Sequence, residues 1–317
     1  MNLDRLLKLD SEAIRQEQLP PQKRFLFQQL RETTGRPFVA LLGPSLTAST
    51  GAVATVTNAM QMPQLCMTGL GPAIESTYKS LFHMLPPQVL NARAMLEYIA
   101  KGLKAKKLGV LHDSGYGQLV LNNIQNLNKD YGIDIVAAEK FEVGATDVST
   151  QAAKVRAAEP DVVGVIATSP VPFRNARQMR ITQPIVSAVG SSSYEYVKGM
   201  GEFADDITFA EFIVSEDPLA HQKEFVDYFH KEKGTLPKTY DAAGWDATHV
   251  LAQALEKAGP DAGGEAIAAA IRANRYRGVV AQYNFAAADM TGIELDSYTY
   301  SKLVKGRYTR LPFKAGK

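Results

Sequence analysis

Few of the residue types that do chemistry are spaced to do it in this chain. Ser76-Thr77-Tyr78-Lys79 has the serine–lysine spacing of acylating enzymes, but the partner motifs of that machinery are missing and chance accounts for the match. The five histidines, His83, His112, His221, His230 and His249, include no i, i+4 pair, so no metal centre is expected. His112, at a strand end, is read as a packing residue. Cys66 is the single cysteine. It excludes an internal disulfide and, lying among apolar neighbours, is expected to be a small buried hydrophobe. Gly115-Tyr116-Gly117 lacks the third glycine of a dinucleotide fingerprint, and neither a Walker loop nor a Gly-x-Ser-x-Gly elbow is present. No catalytic residue and no cofactor is expected.

What recurs is a set of small polar residues just after apolar runs. Gly43-Pro44-Ser45-Leu46-Thr47 is one such stretch. Thr68-Gly69, Asp113 to Gly117, Thr168-Ser169-Pro170 and Gly190-Ser191-Ser192-Ser193 are the others. Each offers hydroxyls and, with a following helix, free backbone N–H groups, which favour a carboxylate or similar anion. One such loop could be mere helix capping; five in one chain point to a ligand cleft.

The elements behind these loops are legible from periodicity. Apolar runs of strand length occur at 38–42, 65–68, 108–112, 133–137, 162–168, 185–189 and 207–212. Segments of helical length lie between most of them, such as 48–60, 91–103, 118–131 and 148–158, with Thr146 or Asp147 available as a cap for the last. The alternation implies βαβ units and largely parallel sheets, an α/β fold. From Pro218 the pattern changes to helices at 219–233, 241–257 and 264–272. Two strands then follow at 279–285 and 298–304, joined by a turn around Thr291-Gly292. The first 36 residues are charged and helix-prone, broken at Pro20-Pro21, with no strand before Phe38.

The bulk numbers narrow the function. At 317 residues and 45% apolar, the chain is long enough for two domains with proper cores. A net charge of +2 with dispersed basic residues argues against nucleic acid. The one cluster, Lys101, Lys104, Lys106 and Lys107, is read as a solvated helix end. No run reaches the ~18 apolar residues of a membrane span, so no membrane insertion is expected. The start, Met1-Asn2-Leu3-Asp4-Arg5, has no signal-peptide core.

Six stretches, in order, resemble the type I periplasmic-binding-protein family, on its leucine/isoleucine/valine-binding branch of ABC transporter substrate-binding proteins. They are RPFVALLGPSLTAS (36–49), MPQLCMTG (62–69), KAKKLGVLHDSGYG (104–117), EPDVVGVIATSP (159–170), TYDAAGWDATHVLAQALEKAG (239–259) and GVVAQYNFAAADMTG (278–292). The resemblance covers roughly 22–310. It implies two Rossmann-like lobes joined by a three-crossover hinge, one holding 1–104 plus 216–279 and the other 105–215 plus 293–317, with 280–292 as a crossover. A small-molecule ligand would lie between the lobes, trapped by hinge closure, for delivery to an ABC permease; no reaction is implied.

By position, Thr47 falls where the family's loop hydroxyl takes the ligand carboxylate, with Ser45 close by. Thr68 and Gly69 meet the ligand's head group, and Leu70 replaces a second family hydroxyl. Tyr116 matches the aromatic cover from the other lobe, with Ser169 and Ser191 in the next contact loops. Amino-acid binders often place an acid in the segment that here reads Gly190-Ser191-Ser192. A buried ammonium without a carboxylate is costly, so a plain carboxylate, an aromatic acid or an amide is favoured over an α-amino acid. The family's first strand, helix and second strand have no counterpart, so the first lobe is expected to be incomplete, from a shortened product or a late start. The family implies a periplasmic location, the start as written a cytoplasmic one. The alternatives are a cytoplasmic ligand sensor of the same fold and a truncated, non-functional fragment; an enzyme with a Rossmann-like lobe rests on fold analogy alone.

Overall fold

Two short runs, VVGVI and ITFAE, sit fully buried in the largest sheet among the described residues. They are the near-continuous apolar strands that a sheet covered on both faces requires. The computed structural model describes residues 39–70, 77–259, 261–287 and 291–316. The helix-prone stretch at 1–35, Phe38 and Ser76 lie outside the described residues.

By packing, the chain divides into two units. Unit one is Met1–Leu85, Gly244–Gly278 and Gln282–Gly292; unit two is Pro86–Ala243, Val279–Ala281 and Ile293–Lys317. The expected lobe boundary at 104/105 differs from the packing boundary at Leu85/Pro86, because α2 (Gln88–Glu97) packs on α3 (Tyr116–Leu127) of unit two.

In unit one, β1 (Leu41–Leu42), β2 (Gln64–Cys66) and β3 (Leu81–His83) form a parallel sheet in the order β1-β2-β3. Helix α1 (Thr47–Ala59) runs between the first two strands. Its Thr57 donates to Gln64 Oε1 at 2.7 Å, and Gln64 Nε2 donates to the Gly43 carbonyl at 3.2 Å, so one buried amide joins helix, strand and loop. Ala54, Cys66, Leu70 and Leu81 form a small core, and Cys66 is fully buried, as its apolar surroundings predict. Strand β3 has no counterpart among the expected strands; three residues are too few to carry a period of two.

In unit two, β4 (Lys107–Asp113), β5 (Asp134–Phe141), β6 (Val162–Ile166), β7 (Ile185–Ser187) and β8 (Ile207–Glu211) are parallel. Helices α3, α4 (Ser149–Ala157), α5 (Val171–Gln178) and α6 (Tyr194–Met200) connect them in turn. Asp147 does not cap α4 as a side-chain N-cap; it precedes the cap residue and takes the Ser149 N–H at 2.8 Å. Later in the chain come α7 (Lys223–Lys233), α8 (Thr239–Ala258) and α9 (Gly264–Ala273).

One expectation needs correcting. The strands near 279–285 and 298–304 are not partners across a turn. Short β10 (Gln282–Asn284) pairs antiparallel with β9 (Arg275–Arg277), whereas β11 (Thr299–Val304) joins the large sheet between β8 and β12 (Arg307–Arg310). Sequence order suggests a hairpin, but β11 finds more buried apolar surface beside β8, where Tyr300 and Leu303 are fully covered. The complete order is β12-β11-β8-β7-β6-β4-β5. Its parallel part reverses direction between β4 and β6, the switch point at which open α/β sheets bind ligands outside the carboxyl ends of the strands.

Candidate functional site

Asp113 closes β4 at that switch point and is 1% exposed. Its Oδ1 accepts the N–H groups of Gly115 (3.0 Å) and Gly117 (2.8 Å). Its Oδ2 accepts the Thr168 N–H (2.8 Å) and hydroxyl (3.0 Å). Four donors on one buried carboxylate offset its desolvation and fix the loop after β4 against the loop after β6. Gly117 is required in the first turn of α3, since an added Cβ would lie 2.3 Å from the Ile166 carbonyl oxygen. The Asp113–Gly117 loop is thus a built turn.

Tyr116, the first residue of α3, stands on this turn. Its side chain is half-buried and its hydroxyl donates to the Val189 carbonyl at 3.4 Å, on the loop after β7. Burial pushes the phenol well above its usual range, with Tyr240, Glu211 and Asp113 adding to the shift. Gly190 follows at φ 97°, a left-handed conformation natural to glycine. The Tyr240 hydroxyl lies over it, 2.7 Å from where a Cβ would be.

Glu211 ends β8 and is also 1% exposed. Its Oε1 accepts the Gly190 N–H at 2.8 Å, its Oε2 accepts the Thr239 hydroxyl at 2.6 Å, and the Ser192 side chain also donates to it. Burial raises its pKa, and these three donors and Lys238 counter the rise. Beside it, Lys238 Nζ lies 3.6 Å from Glu216 Oε2 and 3.4 Å from the centre of the Tyr308 ring. Burial lowers this ammonium to about 8 against the pull of Glu216. His112 is buried too, and burial lowers its pKa.

The expected site residues distribute as follows. In unit one, Thr47 begins α1, and its hydroxyl lies 3.3 Å from that of Thr68, which is 8% exposed. The two hydroxyls therefore meet at adjacent strand ends. Ser45 is exposed on the same loop, and Gly69 is buried beside Thr68. In unit two, Tyr116 and Ser169 are half-buried on the loops that Asp113 joins. Ser191 is 1% exposed and donates to the Ala167 carbonyl at 3.3 Å, so its hydroxyl braces the loop. Sequence reasoning missed Glu211 and Tyr240. A signal existed for the first: Glu211 is the only charged residue in the apolar run 207–214, and an acid in such a run must be buried with donors of its own.

The family model described as periplasmic binding protein matches residues 28–298. The chain belongs to that family. As a member of the periplasmic binding protein family it is a solute-binding protein. Solved structures share its fold at low identity. An extracellular ligand-binding receptor from Rhodopseudomonas palustris is 23% identical with a TM-score of 0.80, over 92% of this chain and 87% of that one. The leucine binding protein LivK of Thermotoga maritima is 21% identical with a TM-score of 0.78, over 90% and 83%. The branched-chain amino acid transporter substrate binding protein LivJ of Streptococcus pneumoniae, solved with isoleucine, is 22% identical with a TM-score of 0.75, over 86% and 80%. No curated protein sequence matches. Among the described residues, no helix is long and apolar enough to cross a membrane.

Proposed function

We propose that this protein binds a small organic solute, a carboxylate, amino acid or aromatic acid, and delivers it to an ABC importer without making or breaking a bond. The observation that carries the reading is the built turn at the β4/β6 switch point, with Tyr116 standing on it and Asp113 holding it from below. The hydroxyl pair of Thr47 and Thr68 supports a carboxylate-binding end in unit one. In this reading the protein works in the periplasm. The names of the structural relatives, a leucine binding protein and a branched-chain amino acid transporter component, agree with an importer.

The test is thermal stabilisation by amino acids, aromatic acids and short amides. A ligand at ~100 times its dissociation constant adds about 2.7 kcal/mol; no shift across the panel overturns the reading. Tyr116→Ala is expected to weaken binding by roughly 1–3 kcal/mol, the scale of a lost aromatic contact. Leu70→Thr should change it less, and unchanged affinity in Tyr116→Ala would put the site elsewhere.

A further inference from the structure

A cavity of about 860 Å³ opens within unit two. Its walls come from the start of α6, the segment after β8, the end of α7, the residues leading into α8 and the start of β12. In the sheet order β8 and β12 lie beyond β7 from the β4/β6 switch point, and neither Tyr116 nor Asp113 lines the cavity.

Two buried side chains of opposite charge face each other in its wall. Glu216 and Lys238 are each only 8% exposed at the side chain. Glu216 Oε1 accepts the Tyr194 hydroxyl at 2.7 Å and the Tyr308 N–H at 3.4 Å. Its Oε2 is buried and accepts no hydrogen bond from the described residues. Lys238 Nζ stands 3.6 Å from that oxygen, close enough for an ion pair and too far for a hydrogen bond. The ammonium rests on rings, 3.4 Å from the centre of Tyr308 and 4.6 Å from that of Tyr194. A buried carboxylate oxygen without a donor is costly, and a buried ion pair is stabilised when further hydrogen bonds reach its unused lone pairs and protons.

The gap between Oε2 and Nζ sets the chemistry of what can fill it. The group must donate to the carboxylate and accept from the ammonium, and a hydroxyl does both with one oxygen. A carboxylate there would be repelled by Glu216, and an ammonium by Lys238. Further out, Glu195 and Asp241 balance Lys233 and Arg307, so no net sign draws in an anion or a cation. Phe229 and Tyr194 add ring faces on which a carbon skeleton can rest. The volume lies in the range of small-molecule sites, roughly 300–1,000 Å³.

We propose that this cavity is a binding site for a neutral polyhydroxylated molecule such as a monosaccharide, one hydroxyl of which bridges Glu216 Oε2 and Lys238 Nζ. The site is separate from the solute site proposed above and does not depend on it.

The experiment is calorimetric titration of the whole protein with D-glucose, D-ribose and myo-inositol, with acetate and ethylammonium as singly charged controls. At least one polyol is expected to bind more tightly than either control. In Glu216→Gln the two donors on Oε1 hold the amide oxygen there, so the amide nitrogen takes the place of Oε2 and cannot accept the hydroxyl. Polyol affinity should fall at least about tenfold. Thr235 is exposed and lines the cavity; Thr235→Trp should block binding without touching the buried pair, and so tests the site even if Glu216→Gln fails to fold. Tyr116→Ala should leave polyol binding in place. Binding that survives both Glu216→Gln and Thr235→Trp, or that is lost in Tyr116→Ala, puts the polyol elsewhere and overturns the proposal. Tighter binding of acetate or ethylammonium overturns the neutral class. If no polyol binds, the proposal fails, whatever becomes of the solute-binding reading.

Discussion

Asp113 and Glu211 do the same job in one sheet with different materials. Each is a carboxylate at the carboxyl end of a parallel strand, each is 1% exposed, and each joins two connecting segments. Asp113 is held by three backbone N–H groups and one hydroxyl, two of those N–H groups at the start of α3, where the helix dipole also favours its charge. Glu211 has a single backbone N–H and two hydroxyls, and burial raises its pKa. The difference teaches that a buried acid is well tolerated where it is bound by oriented main-chain donors. It is held at a cost where rotatable hydroxyls must do the work.

Three measurements would break or sharpen that contrast. The largest effect is expected from Asp113→Ala, which leaves four donors at the switch point without their acceptor and should cost about 3–5 kcal/mol in urea unfolding. Glu211→Ala should cost about 1–3 kcal/mol less, because two of its donors are hydroxyls that can turn elsewhere. Equal losses would erase the distinction.

Next comes the backbone. Gly117→Ala drives a Cβ into a carbonyl oxygen at 2.3 Å and should cost roughly 2–3 kcal/mol. Gly190→Ala meets only the movable end of Tyr240 and pays mainly for its positive φ, about 1 kcal/mol. A reversed order would show that the Gly190 loop, not the β4 turn, is the rigid one.

The smallest effect is in pH dependence. A carboxyl whose folded pKa is raised holds its proton longer in the native state than in the unfolded one. Above the ordinary value of 4.5 the unfolded state of Glu211 therefore binds fewer protons, and its contribution to stability falls as pH rises toward the folded value. Wild type should lose stability relative to Glu211→Gln over that window. Lys238 works the other way, higher up. Its folded value is lowered to about 8 from 10.5, so the unfolded state binds more protons in between, and wild type should gain stability relative to Lys238→Met from about pH 8 upward. Thermal melts across pH 4 to 10 in each pair read both slopes, and a flat difference for Glu211→Gln would mean that burial of Glu211 is fully offset by its donors.

Much of the fold was legible in the chain. The apolar runs at 108–112, 162–168 and 207–212 are strands because a sheet covered on both faces favours near-continuous apolar residues. The turn at 113–117 announced itself through its glycines. The pairing of β11 with β8 in place of β10, and the existence of β3, β9 and β12, were not legible, because three- and four-residue strands have no period of their own and find partners by contact. The site divided in the same way. Thr47, Thr68 and Tyr116 are proposed from their places after strands, whereas Tyr240 and Glu211 reach the Gly190 loop from elements far along the chain.

The sequence by itself determined the α/β alternation, the strand-end loops rich in hydroxyls, and the acidic, aromatic and glycine residues those loops carry, because local periodicity and turn chemistry act over a few residues. Only the tertiary structure decided which donors each buried carboxylate receives. A side chain's charge is written in the chain, but whether that charge is already satisfied depends on donors that arrive from elsewhere, such as the Thr168 amide 55 residues beyond Asp113 and the Thr239 hydroxyl 28 residues beyond Glu211.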